Sequence, residues 1–390
     1  MDPILRIVPA ILLSLLCILG LAGCSATEEP AGREIVYAGT FEGRGSEGLY
    51  VYSFDRETGR FNRIQTVRDR IAPDFQALHP GKRYLYSVSD TPFTDESDHG
   101  TVSAYRIDQE TGKLSLINEQ SVQGPGPAHV SVDPGGRFVY VSNYSGGNLS
   151  VFQIAEDGRL SPAVEVVQHE GRGAHETRQQ APHVHSAVPS ADGRFLYVSD
   201  LGTDRIMIYK VHPRTGALSP AEMPYAEAVP GSGPRHFTIH PNGSFAYSAQ
   251  ELTSTVAAFQ VDSATGALTK IQRLSMLPEG YEEQGNSAAD IHISPDGRFL
   301  YASNRGHDSL VIYSIDPDSG TLSLVGHAST QGAHPRNFMI DRKGDFVLAA
   351  NRDNDNVVLL QRNKETGQLQ YSGQQLQIPM PVCLTQLILE

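Results

Sequence analysis

The chain has 390 residues with 44 acidic and 31 basic side chains, so its formal net charge is -13 at pH 7. That charge argues against a nucleic-acid-binding protein, because such proteins need a basic face to bind phosphates. It leaves room for a small anionic ligand, since a few arginines can be gathered locally. The 37 glycines, 24 prolines and 16 tyrosines, without long helical periodicity, favour a fold of many short strands.

An apolar run over residues 11–21 is too short to span a bilayer comfortably. It leads into Leu21-Ala22-Gly23-Cys24, which resembles the bacterial lipobox, where the cysteine after a small-residue cleavage site is lipid-modified. We predict a lipoprotein signal peptide over residues 1–23, lipid attachment at Cys24 and a polar tether over residues 24–33. A plain signal peptide or an uncleaved anchor is the alternative. The expected location is the bacterial cell envelope, lipid-anchored outside the cytoplasm.

Cysteine usage excludes an internal disulfide. Cys17 leaves with the signal peptide and Cys24 would carry lipid, so only Cys383 remains in the folded part. Cys383 lies in an apolar strand pattern and is expected to be a buried small hydrophobe. Side-chain packing must therefore hold the fold together.

One unit recurs seven times along the rest of the chain. Its clearest marker is a turn ending in glycine, which supplies the positive φ that a tight hairpin needs. These turns are Thr58-Gly59, Thr111-Gly112, Asp157-Gly158, Thr215-Gly216, Thr265-Gly266, Ser319-Gly320 and Thr366-Gly367. A second marker is a short apolar strand: Ile35-Val36-Tyr37, Tyr84-Leu85-Tyr86, Phe138-Val139-Tyr140, Phe195-Leu196-Tyr197, Phe245-Ala246-Tyr247, Phe299-Leu300-Tyr301 and Phe346-Val347-Leu348. A period of about 50 residues with four short strands is typical of a β-propeller.

The two ends of the repeat complete each other. The first unit begins at its second strand, with Ile35, while residues 381–388 form a spare first strand. Pairing that strand with the first unit would close the ring and remove its exposed edges. We therefore predict one all-β, seven-bladed β-propeller over residues 34–390, closed by its C-terminal strand. A closed ring needs no partner subunit, so we expect a monomer.

Polar side chains stand at the starts of the first strands, where apolar residues would be enough for packing. In a propeller these strands line the central channel. The positions are Asp74-Phe75, Ala128-His129, His183 with His185, Arg235-His236, Ala289-Asp290 and Arg336-Asn337. The ends of the second strands add Asp90, Asn143-Tyr144, Asp200, Gln250-Glu251, Asn304-Arg305 and Asn351-Arg352. The sequence thus predicts one cluster of histidines, arginines and carboxylates, with Tyr144 nearby.

The segment Gln168–Ala181 is longer than its counterparts and leads directly into a pair of histidines. Long loops beside a site are often functional, so we expect this segment to form part of a pocket wall or a lid. His183 and His185 occupy alternate positions, so on an extended chain both imidazoles would point to one side.

Several motifs resemble the seven-bladed propeller lactonases, a family that includes propeller-type 6-phosphogluconolactonases and fungal carboxymuconate lactonizing enzymes. The motifs are Gly171-x-Gly173, Arg178-Gln179-x-x-Pro182-His183-x-His185, Pro234-Arg235-His236, Gln250-Glu251-Leu252, Ser303-Asn304-Arg305-Gly306-His307-Asp308-Ser309 and Pro335-Arg336-Asn337-Phe338. The resemblance implies that the catalytic residues are among His183, His185, Arg235, Glu251 and Arg305. The residues predicted to bind substrate are His129, Tyr144, Arg178, Gln179, His236, Arg336 and Asn337.

A lactone hydrolase needs an activated water, charge stabilisation for the tetrahedral oxyanion and an acid for the leaving alkoxide. Glu251, or a neutral His183 or His185, would serve as the base. Arg235 and Arg305 suit an oxyanion or a substrate carboxylate or phosphate, because arginine keeps its charge and donates in a fork. The sequence does not assign the individual roles. The expected ligand is a small anionic lactone, with no cofactor and no metal ion.

Other readings of the same residues stay open. A muconate-type cycloisomerase of the same fold would use the same set, and a non-catalytic envelope propeller would bind a ligand or partner. Glu251 and Arg305 would then form a structural ion pair across the channel. The two histidines would also suit a metal ion, although no third ligand stands at a telling spacing. Membrane contact is expected only through the lipid anchor.

Overall fold

The computed structural model describes residues 32–68, 72–93, 98–281 and 285–389, which form seven four-stranded antiparallel sheets. The predicted signal peptide and Cys24 lie outside these residues. Across the described ranges the only helical element is the 3-10 turn Arg352–Asn354, and no helix is long and apolar enough to cross a membrane. The prediction of an all-β fold is confirmed.

Blade 1 combines the first three strands of the chain with the last one. These strands are β1 (Arg33–Thr40), β2 (Leu49–Asp55), β3 (Arg60–Val67) and β28 (Pro381–Leu389). Blade 2 contains β4 (Pro73–Leu78), β5 (Tyr84–Ser89), β6 (Thr101–Ile107) and β7 (Leu114–Ser121). Blade 3 contains β8 (Pro127–Val132), β9 (Phe138–Asn143), β10 (Asn148–Ile154) and β11 (Leu160–Gln168).

The remaining four blades follow the chain in order. Blade 4 contains β12 (Val184–Pro189), β13 (Phe195–Asp200), β14 (Arg205–Val211) and β15 (Leu218–Glu227). Blade 5 contains β16 (Pro234–Ile239), β17 (Phe245–Gln250), β18 (Thr255–Val261) and β19 (Leu268–Ser275). Blade 6 contains β20 (Ser287–Ile293), β21 (Phe299–Arg305), β22 (Ser309–Ile315) and β23 (Leu322–Ser329). Blade 7 contains β24 (Pro335–Ile340), β25 (Phe346–Asn351), β26 (Asn356–Arg362) and β27 (Leu369–Gln377).

The ring closes where β28 pairs with β1, as predicted. Ile35 lies opposite Leu387 in this antiparallel pair. An ion-pair network spans the junction with blade 7, because Arg56 bonds Glu34 of blade 1 together with Asp341 and Asp345 of blade 7. The ends of the propeller are therefore joined both by a strand ladder and by buried charge.

Apolar side chains are buried between neighbouring blades. Seven buried clusters each combine strands from two adjacent blades. Between blades 3 and 4, for example, Tyr140 and Val151 pack with Leu196 and Val198. Removing this apolar surface from water stabilises the ring at each junction. Because the apolar core lies between the blades, polar side chains can occupy the centre of the ring.

The two sequence markers of the repeat meet each other across the blade junctions. The hydroxyl of Tyr247 in blade 5 donates to the carbonyl of the turn residue Gly320 in blade 6, at 2.9 Å. The same bond joins Tyr37 to Gly112, Tyr86 to Gly158 and Tyr301 to Gly367. A Cβ at Gly320 would lie 2.3 Å from the Phe245 ring, so the turn needs glycine for space as well as for its φ of 68°.

The innermost strand of every blade has an irregular register near its start. In blade 2, Pro73 pairs with Ser89 and Phe75 with Val88, which leaves Asp74 as an extra residue. The residues at the corresponding breaks are Asp74, Ala128, His185, Arg235 with His236, Ala289 with Asp290, Arg336 and Val382. A β-bulge re-aims the side chain at the break. Each blade therefore has one bulge at the same end of the channel, and the side chains at these seven bulges point in directions that a regular strand would not give them.

Candidate active site

A cavity of about 420 Å³ is lined by residues from all seven blades. That volume is in the range of small-molecule sites. Most of the bulges contribute to its wall, through Asp74, Ala128, His185, Arg235, His236, Arg336 and Val382. The irregular strand starts are therefore the devices that build the site.

Most of the side chains predicted for the site line this cavity. They are His185, Arg235, Glu251 and Arg305 from the predicted catalytic set, with Tyr144, Arg178, His236 and Arg336 from the predicted substrate-binding set. His183, His129, Gln179 and Asn337 are not among the lining residues. Their individual roles stay predictions.

Glu251 is a buried carboxylate held by three arginines. Its Oε1 accepts a hydrogen bond from Arg178 Nη2 at 2.6 Å, and its Oε2 lies 3.0 Å from both Arg235 Nε and Arg305 Nη2. Burial alone would raise the pKa of Glu251, but the charges of Arg305, Arg235 and Arg178 hold it well below its usual range. Glu251 is therefore a weak proton acceptor, and its geometry suits fixing the arginines in place. The ion pair with Arg305 that the sequence left open is formed.

Arg235 and Arg305 are braced by backbone carbonyls as well as by Glu251. Arg235 Nη1 donates to the carbonyl of Ala289 at 2.8 Å, and Arg305 Nη2 donates to the carbonyl of Ala288 at 2.7 Å. The Nε of Arg305 is buried and has no hydrogen-bond partner in the part of the chain that the structure describes. A donor in that position is available to an oxygen atom of a ligand.

Arg336 lines the cavity without an anionic partner. Its guanidinium carbon lies 4.8 Å from the centroid of the Phe41 ring, a cation–π contact. No hydrogen bond or ion pair of Arg336 is found among the described residues. Desolvation and the charge of Arg305 lower the pKa of Arg336 to about 10, so the group stays charged at neutral pH. A bound anion would form the ion pair that Arg336 lacks.

Three imidazoles on the cavity wall keep a buried ring nitrogen without a partner among the described residues, those of the buried His185 and His236 and of the half-buried His334. His185 Nδ1 and His236 Nε2 have no hydrogen-bond partner within the described ranges, and the two ring centroids are 5.2 Å apart. Desolvation lowers the pKa of His185 well below its usual range, with Arg235 adding to the effect. Desolvation and Arg235 also lower the pKa of His236, to about 4. Both rings are therefore neutral near pH 7 and able to accept a proton.

Asp290, which lies at the bulge of blade 6 behind the cavity, orients His236. Its Oδ1 accepts from His236 Nδ1 at 2.7 Å, while Oδ2 accepts from His292 Nε2 at 2.9 Å and from the Asn337 amide at 2.5 Å. Burial would raise the pKa of Asp290, but His292 and His236 hold it well below its usual range. Asn337 thus supports Asp290, and its own Oδ1 accepts from the backbone N–H of Leu384.

The segment Gln168–Ala181 contributes Arg178 to the cavity wall, where its Nη2 also donates to the Tyr144 hydroxyl at 3.2 Å. Gln179 faces the other way and is almost fully buried. Its amide nitrogen donates to the Leu201 carbonyl and to Asp204, and its amide oxygen accepts from the N–H of His175. Gln179 therefore pins the segment, and its amide has no free group for a substrate.

His183 and His129 pack against the residues that line the cavity. The His183 ring stacks on Tyr144 with centroids 4.4 Å apart, and its Nδ1 lies 3.0 Å from the Tyr144 carbonyl oxygen. His129 packs on Phe75, with ring centroids 4.6 Å apart, and lies beside His236. Both imidazoles thus lie behind residues that line the cavity, whereas His185 and His236 line it themselves.

Several wall residues escaped the sequence selection. Asp74, Asp90 and Arg352 were visible as polar positions at strand ends, but nothing in the sequence ranked them above their equivalents. His334 carried no signal, since it precedes the strand and the structure is needed to see it on the wall. Desolvation raises the pKa of the Asp74 carboxyl well above its usual range, against the opposing charge of Arg336. Its Oδ1 is buried without a hydrogen-bond partner in the described chain.

No group of three or more His, Cys, Asp or Glu side chains within the described residues is arranged to hold a metal ion. Of the histidines that line the cavity, His236 bonds to Asp290, and the ring of His185 packs against that of His236.

Comparison with known proteins gives a consistent result. Residues 35–386 match the family described as "Lactonase, 7-bladed beta-propeller". A 6-phosphogluconolactonase of Bacillus subtilis is 36% identical over 350 residues, covering 90% of this chain and 97% of that protein. A 6-phosphogluconolactonase of Formosa agariphila is 38% identical over 313 residues, covering 78% and 86%.

Solved structures agree with this assignment. The periplasmic gluconolactonase of Pseudomonas aeruginosa superposes with a TM-score of 0.86 and 33% identity, over 92% of this chain and 100% of that one. The fold, the coverage and the identity all point to one family, as the sequence motifs had indicated. The chain belongs to the lactonase family of seven-bladed β-propellers.

Proposed function

We propose that this protein hydrolyses the ring ester of an anionic sugar lactone, with 6-phosphogluconolactone as the model substrate. Relatives named 6-phosphogluconolactonase, at 36% and 38% identity, support the reaction class. The observation that carries the choice of an anionic ligand is the charge of the cavity. Five arginines line it, namely Arg178, Arg235, Arg305, Arg336 and Arg352, against the carboxyl groups of Asp74, Asp90 and Glu251. Arg336 in particular forms no ion pair with a described residue.

The reaction follows from the groups on the wall. A water molecule loses a proton to a neutral imidazole and attacks the lactone carbonyl carbon, which becomes tetrahedral and carries an oxyanion. Arg305, with its free Nε, and Arg235 stabilise that oxyanion with fixed charge in a desolvated site. The carbon–ring oxygen bond then breaks, and the ring oxygen leaves as a hydroxyl after taking a proton from the wall. The product is the open hydroxy acid.

Asp74 is suited to give that proton. Its carboxyl is neutral over a wider pH range than an ordinary aspartate, because desolvation raises its pKa. A neutral carboxyl on the same wall as two neutral imidazoles and an arginine cluster supplies acid, base and electrostatic groups together. Glu251 accepts no proton in this scheme. Its carboxylate holds the guanidinium groups of Arg178, Arg235 and Arg305 in position.

The test is a lactonase assay with glucono-δ-lactone and its 6-phosphate, comparing the parent with Arg336→Gln. We expect the parent to open the lactone ring of the 6-phosphate faster than buffer does. We expect Arg336→Gln to raise KM for the phosphorylated lactone about 10-fold or more, because one charged hydrogen bond is lost, while kcat stays close to the parent.

Arg106→Gln is the matched control, since Arg106 is an exposed arginine on β6 that does not line the cavity. Its KM for both lactones should equal that of the parent. If no lactone is opened faster than in buffer, the proposed function is wrong. If Arg336→Gln raises KM for both lactones by the same factor, the phosphate does not contact Arg336.

We also propose that the enzyme acts in the cell envelope, anchored by lipid on Cys24. The lipobox-like sequence Leu21-Ala22-Gly23-Cys24 supports this location, and a structural relative is named a periplasmic gluconolactonase. Expression of the full chain with labelled palmitate should give a labelled membrane-bound protein. Cys24→Ala should lose the label and leave the membrane fraction. Label on the Cys24→Ala variant, or an unlabelled parent, would contradict the anchor.

A further inference from the structure

The proposed reaction needs a proton acceptor, and three imidazoles of the cavity wall, those of His185, His236 and His334, keep a ring nitrogen without a partner among the described residues. His334 is only partly buried, and the nearest carboxylate oxygen, of Asp353, lies 3.6 Å from its Nδ1, too far for a hydrogen bond. His185 and His236 are both on the wall, both desolvated, and both keep one ring nitrogen without a partner among the described residues. They differ in what holds the other nitrogen. His236 Nδ1 lies 2.7 Å from the Asp290 carboxylate, whereas no carboxylate contacts His185 in the described chain.

That difference decides which ring is prepared for proton transfer. A carboxylate at Nδ1 fixes the tautomer with hydrogen on Nδ1, so the lone pair of Nε2 is the free one. It also stabilises the imidazolium that forms when Nε2 takes a proton. Asp290 is itself rigid, since its oxygens accept hydrogen bonds from His236, His292, Asn337 and the N–H groups of Ile291 and Phe338.

We propose that His236 is the catalytic residue that accepts the proton of the attacking water, and that Asp290 is the positioning residue that orients it. The proposal rests on the lactonase function proposed above. His185, whose ring lies 5.2 Å from His236, then faces the same water or substrate without taking its proton.

The proton count closes within the site. Water gives one proton to His236 Nε2 and its oxygen forms the new bond to the carbonyl carbon. When the ring carbon–oxygen bond breaks, the ring oxygen takes a proton from the neutral Asp74 carboxyl. Proton transfer from the imidazolium to the Asp74 carboxylate resets both groups, and the hydroxy acid loses its own carboxyl proton to solvent.

The charged surroundings of His236 set its pH dependence. Arg235 on its own strand, Asp290 and His292 on β20, His129 on β8 and His185 on β12 are the titratable groups around it. Desolvation and Arg235 lower the pKa of His236 to about 4, against the opposing charge of Asp290. The base is neutral above that pH, so kcat/KM should fall as the pH falls through about 4. On the alkaline side it should fall again once the Asp74 carboxyl, which supplies the second proton, ionises.

The deciding experiment compares His236→Gln with His185→Gln, using the 6-phosphate of glucono-δ-lactone after subtraction of the buffer rate. We expect His236→Gln to lower kcat about 100-fold or more and to remove the acidic fall of kcat/KM between about pH 3 and pH 7. His185→Gln should keep that acidic fall. The idea is overturned if His236→Gln keeps more than half of the parent kcat, or if His185→Gln alone removes the acidic fall.

His292→Gln disturbs the Asp290 network without removing a cavity-lining group, because His292 bonds the other oxygen of Asp290 but does not line the cavity. Its loss of kcat should be at least about tenfold smaller than that of His236→Gln, which separates disturbance of the Asp290 network from loss of the base. A loss as large as that of His236→Gln would show that the network acts structurally, and would contradict the assignment.

Asp290→Asn tests the positioning role. In a pair that acts as one unit, the double variant with His236→Gln should lose no more kcat than His236→Gln alone. Losses that multiply would place Asp290 outside the proton-transfer step. Because Asp290 accepts several hydrogen bonds, melting temperatures accompany each rate, and the two histidine variants decide the proposal if Asp290→Asn does not fold. A parent without lactonase activity would defeat the proposed function itself.

Discussion

Glu251 shows how a buried charge contributes to the stability of the site as well as to its geometry. Replacing Glu251 by Gln removes the negative charge between Arg178, Arg235 and Arg305 and leaves Arg235, which is buried, without a counter-ion. We expect the free energy of unfolding to fall by about 3 kcal/mol at pH 7. Chemical denaturation measures it.

The sign of the pH dependence follows from the depressed pKa of Glu251. Its stabilising contribution is present above the pKa of an unfolded glutamate, about 4.3, and is lost as the pH falls below it. The difference between the parent and Glu251→Gln should therefore shrink in acid. Glu365→Gln is the control, since Glu365 is an exposed partner of Arg298 and its loss should cost under about 0.5 kcal/mol. A difference that grows in acid would contradict the ion-pair account.

The desolvated carboxyl of Asp74 should affect the pH dependence of stability in the direction opposite to that of Glu251. Its pKa is raised by desolvation, so ionisation destabilises the folded state as the pH rises above the pKa of an unfolded aspartate. Asp74→Asn should therefore raise the melting temperature at pH 7 by about 2–4 °C and give no gain near pH 3. The exposed Asp318 offers the control Asp318→Asn, which should change neither value. A gain that persists unchanged at pH 3 would rule out relief of a buried charge as its cause.

The sequence located the site residues by type and region, but not by direction. The alternation argument expected both His183 and His185 to point one way, and both rings lie against Tyr144. His183 precedes β12, however, while His185 is the extra residue of a bulge, and of the two only His185 lines the cavity. A bulge depends on the register with the partner strand, which the sequence of one strand does not contain. The hydrogen bonds of Gln179 were not predictable from the sequence either, because loop side chains follow no period.

At the scale of the element, the sequence predicted the recurring turns and strands of the repeat, but it did not predict the contact between them. The prediction needed only local patterns of glycine and aromatic residues. The bond from the Tyr247 hydroxyl to the Gly320 carbonyl joins residues 73 positions apart, so it emerges only when neighbouring blades pack. The same holds for Asp290, whose partners His236, His292 and Asn337 come from three blades.

Removal of one such bond has a measurable expected effect. Tyr247→Phe should lower the free energy of unfolding by about 1 kcal/mol, because the buried carbonyl of Gly320 loses its donor. Tyr140→Phe is a close control, since the Tyr140 hydroxyl is buried with no hydrogen-bond partner among the described residues. That variant should be at least as stable as the parent. Equal destabilisation by both substitutions would show that the hydroxyl bonds do not brace the junctions.

For the whole molecule, closure of the ring was predictable because the first unit lacked a strand and the chain ended with one. The charge network that reinforces the closure was not predictable, since Arg56 meets Asp341 and Asp345 from the far end of the chain. The number of blades follows from the number of repeats. The shape of the cavity depends on the strand register at the start of the innermost strand in each of the seven blades.

Arg56→Ala tests the closing network. Glu34 and Asp341 are buried and would lose their cation, so we expect a loss of about 3 kcal/mol in the free energy of unfolding. Arg159→Ala is the control, because Arg159 and Asp157 form an exposed pair 3.8 Å apart, worth under about 1 kcal/mol. Urea denaturation of both variants gives the comparison. An equal, small effect would mean that the strand ladder alone closes the ring.

The bulges at the starts of the innermost strands bear on how this protein can evolve. An extra residue at a bulge has no direct partner in the strand ladder, so exchanging its side chain leaves the pairing on either side unchanged. Two of these positions, Ala128 and Val382, carry small apolar side chains on the cavity wall. New specificities can therefore arise by single substitutions at these two positions at little cost to folding, whereas the bulge residues Arg235 and Asp290 are held by buried hydrogen bonds. The propeller keeps its mutational robustness in the blades and its capacity for innovation at the apolar bulge positions of the cavity wall.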